Sequence, residues 1–310
     1  MRALVAGGAG FVGSHLVERL VDAGHDVVVV DDFSTGRREN LAGVAHEVTI
    51  VDADVSDPVA IDAIEGPFDQ VFNLASPASP VDYHRLPIHT LMTGSMGVKN
   101  TLDLAHAHGA RYLLASTSEV YGDPQVHPQP ETYLGHVNPV GPRSVYDEAK
   151  RFGEAMTAAY RREFGVDTKI VRIFNTFGPR MRVEDGRAIP NFVHQALTGR
   201  EITVAGDGHQ TRSICFVDDL VSGLVAMMES SASGPVNLGN PEEISMLDLA
   251  TWIRDLAESA SEIVHVPRPV DDPQIRRPDI TLARDLLDWA PSTTAEIGLK
   301  ATIEDFRSRR

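Results

Sequence analysis

Arg2-Ala-Leu-Val-Ala-Gly-Gly-Ala-Gly-Phe-Val-Gly-Ser-His-Leu16 is the stretch on which the reading of the whole chain turns. A short apolar run of strand formers passes directly into glycines at 7, 10 and 13, spaced G-x-x-G-x-x-G. Apolar residues then recur at intervals of three and four from Phe11 to Ala23, the spacing of a helix with one buried face. Glycines without Cβ atoms let a backbone turn sharply and come close to a pyrophosphate, and the N-terminus of the following helix attracts its charge. Such a pattern alone equally describes a tight strand–helix turn.

The next strand supplies the second half of the fingerprint. Asp31 closes it 18 residues after Gly13, where a carboxylate accepts hydrogen bonds from an adenosine ribose. A carboxylate there repels a 2′-phosphate, so NAD is expected rather than NADP. Arg37 and Arg38 follow closely and read as solvated loop charges. Gly7, Gly10, Phe11, Val12 and Gly13 are expected around the pyrophosphate, with Val55, Leu74 and Ala75 at later strand ends. Asp54 is placed either to meet the adenine or to cap a helix beginning near Pro58.

Outward from this unit the first half alternates strands and helices. Glu47–Val51, Gln70–Ala75, Tyr112–Ser116 and Lys169–Phe174 read as further strands, and Leu91–His108 and Ser144–Phe164 as helices. Val27–Val30 is apolar throughout, as in a parallel strand covered on both faces. The expected fold is α/β, a doubly wound parallel Rossmann sheet with a smaller C-terminal substrate-binding lobe, because Gly and Pro become frequent after Asn175. The expected division is a dinucleotide-binding part at 1–176 and a lobe at 177–310, with a segment near 213–240 returning to the first part.

Composition narrows the class. The chain has 310 residues, 42% of them hydrophobic, and a net charge of −16 from 28 basic and 44 acidic residues. Nucleic acid is a poor partner for such a surface. No window approaches the roughly 18 apolar residues of a membrane span, and the N-terminus lacks a signal-peptide layout, so a cytoplasmic protein is expected. One cysteine, Cys215, excludes an intramolecular disulfide. His106 and His108 diverge on a helix, and no metal-binding spacing is present, so no metal is expected.

Tyr146 and Lys150, four apart on the helix at Ser144–Phe164, share a face. A phenol ionises near pH 10 and is a poor base; an adjacent ammonium and a cationic nicotinamide are expected to lower that value. Thr117, at a strand end facing the ligand crevice, is placed to share a substrate hydroxyl with Tyr146, and Glu119 follows it among β-formers.

These motifs, with NLASPASP at Asn73–Pro80, TSEVYGDP at Thr117–Pro124, RIFNTFGPRM and DDPQ-x-RRPDI at Asp271–Ile280, resemble the extended short-chain dehydrogenase/reductases over essentially the whole chain. Within that group the resemblance is strongest to UDP-glucuronate decarboxylases. It implies catalytic roles for Tyr146, Lys150, Thr117 and Glu119, with NAD as cofactor and a UDP-sugar as substrate. It further implies oxidation at C4, loss of CO2, protonation at C5 and re-reduction to UDP-xylose. Sugar 4,6-dehydratases carry an acid where this chain has Ser118, which disfavours loss of water. Release of a 4-ketopentose, a 4-epimerase and a non-enzymatic NAD sensor are the alternatives.

By the same resemblance Asn175, Arg187, Gln210, Arg212 and Arg277 hold the sugar nucleotide. Arg277 is preferred to Arg276 by its position before Pro278-Asp279. Ser79 and Tyr83 fall near the sugar carboxylate, Arg180 and Arg182 contribute to the nucleotide pocket, and a homodimer forms through the helices at 91–108 and 144–164. Ala205 stands where an aromatic commonly packs on the base, which leaves a thymidine nucleotide open.

Overall fold

The computed structural model describes residues 1–267 and 276–309; of the motif at 271–280, the part up to 275 lies outside them. Strands β1 (Arg2–Ala6), β2 (Asp26–Asp31), β3 (Val48–Asp52), β4 (Gln70–Asn73), β5 (Arg111–Thr117) and β6 (Thr168–Ile173) form a parallel sheet with β7 (Val236–Leu238). Their order is β7-β6-β5-β4-β1-β2-β3, a doubly wound α/β arrangement. Successive side chains of a strand face opposite sides. Accordingly Ala3, Val5, Val27 and Val29 enter one core, while Leu4, Ala6, Val28 and Val30 enter the other.

Among the described residues the α-helices are α1 (Phe11–Asp22), α2 (Pro58–Asp62), α3 (Pro80–Arg85), α4 (Pro87–Met92), α5 (Val98–His108), α6 (Ser144–Phe164), α7 (Ala188–Thr198) and α8 (Val217–Glu229), followed by three more at 246–256, 281–287 and 295–308. Residues of α1 and α8, such as Leu16, Leu20, Leu220 and Leu224, fill the first core. Val98, Leu102 and Tyr160 of α5 and α6 fill the second.

Two expectations need correction. The helix expected at 91–108 is interrupted: α4 ends at Met92, Thr93–Gly97 makes a π turn, and α5 starts at Val98. Gly94 and Gly97 explain it. A Cβ on Gly94 would stand 2.6 Å from that of Ala149, and one on Gly97 2.6 Å from a methyl of Val55, so this turn is shaped by close approach rather than helix propensity. The fourth strand stops at Asn73 instead of Ala75, because the Asn73 amide turns into the core. Its Nδ2 donates to Thr101 (2.9 Å) and Tyr112 (3.0 Å), and its Oδ1 accepts from Ala75 N–H.

After Asn175, α8 packs on α1 and leads back to β7, whose Val236 pairs with Val171 of β6. Between and after these lie two-stranded pairs, among them Ile202–Ala205 with Ile263–Val266 and Thr211–Ser213 with Glu243–Ser245. A cleft of about 660 Å³ lies between the carboxyl ends of the parallel strands and residues of α7 and these small pairs. Among the described residues, no helix is long and apolar enough to cross a membrane.

Candidate active site

One end of the cleft is made of backbone. Gly7 has φ +77°, and a Cβ there would stand 2.8 Å from the backbone of Leu74 and Ala75. A Cβ at Gly13 would run into the carbonyl of Gly7. The helix α1 starts at Gly10 with no side chain capping its first N–H groups, and Gly10, Phe11, Val12 and Gly13 line the cleft. Uncapped N–H groups at the mouth of a close-packed glycine turn fit a pyrophosphate. Asp31 is fixed beside them, accepting from Ala9 N–H and Phe33 N–H, both at 2.9 Å. Burial pushes its carboxyl above the usual range.

Val55, Leu74 and Ala75 line the same end. Asp54 is not among the lining residues; its carboxylate accepts from Ser56 N–H at 2.8 Å and stands 3.6 Å from His89. Nor does it cap α2, a task performed by Asp57, which accepts from Val59 N–H at 3.0 Å. Arg37 faces Glu184 at 3.4 Å and Arg38 faces Asp52 at 2.6 Å.

Further along, β5 delivers Thr117 and α6 delivers Tyr146 and Lys150. Tyr146, Ala149, Lys150, Gly153 and Thr157 form the buried stripe of α6. The Lys150 ammonium donates to the carbonyl of Ala115 at 2.8 Å and sits 5.8 Å from the centre of the Tyr146 ring. Thr117 and Tyr146 both line the cleft. Burial pushes the phenol up, although Thr117 opposes this, and burial lowers the Lys150 ammonium to about 8. The expected lowering of Tyr146 is therefore not a property of the protein groups alone. Desolvation of both partners dominates, and an added positive charge beside the phenol is what would favour its anion.

Glu119 follows Thr117 in a tight turn, its N–H donating to the Thr117 hydroxyl at 3.2 Å. Its two carboxylate oxygens accept from Arg143 and Arg276 respectively. Burial alone would push this carboxyl up, but the charges and hydrogen bonds of the two arginines win and hold it at about 2.

Arg276 lines the cleft and is 5% exposed, whereas Arg277 is absent from the lining. Of the two neighbours it is Arg276 that borders the cleft, where it pairs with Glu119. The segment lies extended against Gln129, with Gln129 N–H bonded to Arg277 C=O and Asp279 N–H to Gln129 C=O. In an extended segment neighbouring side chains point to opposite sides, so Arg277 is turned toward Glu243 at 3.6 Å.

The remaining expected residues are placed as follows. Tyr83 stacks on Tyr146, rings 5.4 Å apart and 10° from parallel, with its hydroxyl buried and without a partner among the described residues; burial pushes it up to about 12. Ser79 lines the cleft, but its hydroxyl caps α3 and donates to Asp82 at 2.6 Å. Asn175, Arg187, Gln210 and Arg212 all line it, as do Arg180 and Arg182. Arg187 is paired with Asp185, Arg182 with Asp82 and Arg180 with Glu18. Gln210 donates to Ala205 C=O at 2.8 Å and leaves its buried Oε1 without a partner among the described residues.

Sequence reasoning missed Arg143, Asp147 and His89. Arg143 lies three residues before Tyr146, a helical spacing that already put it beside the tyrosine. Asp147 is 6% exposed, with its Oδ1 unpartnered among the described residues. Burial, then the nearby Glu119 charge, pushes its carboxyl up to about 7. Nothing in the sequence singled out His89.

Residues 3–239 match the model of the NAD-dependent epimerase/dehydratase family. UDP-glucuronic acid decarboxylase 1 of Xenopus tropicalis is 53% identical over 308 residues, 99% of this chain and 72% of the relative. The structure of UDP-glucose 4-epimerase with UDP-glucose from Thermotoga maritima superposes with a TM-score of 0.93 at 30% identity, covering 100% of this chain and 99% of that one. The Thermus thermophilus UDP-glucose 4-epimerase complex with NAD gives a TM-score of 0.89 at 26% identity, over 100% of both chains.

Proposed function

The chain belongs to the NAD-dependent epimerase/dehydratase family, and on that premise we propose that it decarboxylates UDP-glucuronate to UDP-xylose. Relatives about half identical over the full chain are UDP-glucuronic acid decarboxylases. The observation that carries the reading is the Glu119–Arg143–Arg276 cluster beside Tyr146 and Thr117. Turning over a neutral keto-sugar needs no such group, whereas an anionic substrate carboxylate needs guanidinium partners.

Bound NAD supplies a hydride acceptor for C4 and the hydride that later restores it. Tyr146 takes the C4 hydroxyl proton, with Thr117 holding the same oxygen and Lys150 offsetting the phenolate charge. A ketone at C4 lies β to the C6 carboxylate, so CO2 leaves as its bonding electrons pass into an enolate. Tyr146, now protonated, and Thr117 hydrogen-bond the enolate oxygen. Glu119, between its arginines, orders the water that delivers a proton to C5, and on re-reduction at C4 Tyr146 returns its own proton to the C4 oxygen. Asn175, Arg187, Gln210 and Arg212 hold the nucleotide diphosphate.

The working form is a cytoplasmic homodimer paired through α5 and α6; the exposed Phe152 on α6 supports that pairing. Gel filtration at micromolar concentration tests it, and a monomer refutes it.

Incubation with UDP-glucuronate, followed by NMR, tests the reaction. UDP-xylose with one CO2 per turnover is expected. UDP-galacturonate without CO2 would make the protein a 4-epimerase. CO2 with stoichiometric NADH and an accumulating 4-ketopentose would mean that the intermediate is released.

A further inference from the structure

The adenosine end of the cleft holds a charged cluster that the proposed reaction does not use. His89, on α4, places Nε2 at 3.0 Å from a carboxylate oxygen of Asp32 and Nδ1 at 3.6 Å from one of Asp54. Asp32 lies just after β2 and Asp54 just after β3, so one imidazole bridges two loops that neighbouring strands present to the cofactor. Asp32, Ser34 and His89 line the cleft. His89 is half-buried, its side chain 24% exposed, and so is that of Asp32 at 27%.

A cation between the two carboxylates makes this bridge attractive. A neutral imidazole has one N–H and one bare lone pair, while an imidazolium has two N–H donors and a positive charge. The two contacts are ion pairs only for the protonated ring. The remaining groups around His89 do not change this. Ser34 Oγ lies 3.5 Å from Nε2 and can donate or accept. Arg85 of α3 reaches the carbonyl of Ser34 at 3.4 Å, and α4 itself carries no other charged side chain. Asp52, the next acid on β3, is paired with Arg38.

We propose that His89 is a cofactor-positioning residue: as an imidazolium it clasps Asp32 to Asp54 and so closes the adenosine end of the site on NAD. The inference rests on the reading of this cleft as the NAD site. The clasp does two things there. It joins the two loops that flank the adenosine, and it neutralises carboxylates that would otherwise repel a dinucleotide pyrophosphate. A cofactor oxidised and reduced within one turnover benefits from slow release, which gives such a clasp its use.

The test is NAD titration by calorimetry of the wild-type protein, His89→Lys and His89→Gln. Lysine keeps a cation between the carboxylates; glutamine keeps polarity without charge. Wild type and His89→Lys are expected to bind NAD alike, and His89→Gln about three- to fivefold more weakly, the size of a partly exposed ion pair.

Equal affinity of all three proteins, or a loss in His89→Lys as large as in His89→Gln, overturns the clasp while leaving the NAD site standing. Failure of wild type to bind NAD overturns both. If His89→Gln does not fold, His89→Asn takes its place with the same expectation.

Discussion

The two ends of the cleft are built from different materials. At the cofactor end, main chain does the holding: the Gly7–Gly13 turn, the uncapped start of α1, and N–H groups of Ala9 and Phe33 that fix Asp31. At the other end, opposed charges do it: Glu119 held between Arg143 and Arg276. The first is assembled within a few dozen consecutive residues. The second joins residues 157 apart in sequence. A backbone cradle tolerates changes of charge but not an added atom; a charge cluster tolerates added volume better than the loss of one partner.

The largest effect that would sharpen this contrast is expected from Tyr146→Phe. Turnover should fall about 10³-fold, the span of a lost acid–base group, while NAD still binds. Retained turnover would show that another group moves the proton. Glu119→Gln comes next, with turnover down by at least about a hundredfold. It also leaves two guanidiniums without their anion, at a cost of about 3 kcal/mol in stability. If chemical denaturation shows the loss and turnover does not, Glu119 is a strut rather than part of the reaction.

Gly13→Ala probes the opposite end. Overpacking against the Gly7 carbonyl should weaken NAD about tenfold or more without touching the charges around Glu119. Unchanged NAD affinity by calorimetry would mean that the turn is softer than its contacts imply.

The smallest expected effect lies in stability against pH. The Glu119 carboxyl is held at about 2 in the fold, below its unfolded value near 4.3. Its contribution is therefore present above pH ~4.3 and lost as pH falls toward 2. Asp147 has the opposite sign, since burial raises it to about 7. Its protonated form is favoured by the fold, so its share of stability declines as pH rises from ~4 toward 7. Asp147→Asn should flatten melting temperature between about pH 4 and 7 and leave the acid limb intact. A slope there identical to wild type would assign it to other groups.

The same contrast explains what could be read in advance. The sheet was legible because buried parallel strands are apolar throughout and side-chain alternation repeats along each. The glycine turn and Asp31 were legible because their spacing is local. Tyr146 and Lys150 were legible because four residues is one helical turn. The break at Thr93–Gly97 was not, since it depends on Ala149 and Val55 packing against glycines from elsewhere in the chain. That Arg276 rather than Arg277 borders the cleft was illegible for a related reason. Which of two neighbours faces the cleft is decided by how Gln129 pairs with that segment, and no local pattern carries that information. His89 was invisible because its meaning comes from two loops that only the sheet brings together.

The pairing of Glu119 with Arg276 also sets an order of events during synthesis. Chains fold from the N-terminus as they emerge, and contacts distant in sequence form late. The glycine turn, Asp31, Thr117, Tyr146 and Lys150 all leave the ribosome more than a hundred residues before Arg276 does. A growing chain therefore owns its dinucleotide cradle and its proton-transfer pair well before the second guanidinium arrives to complete the carboxylate end.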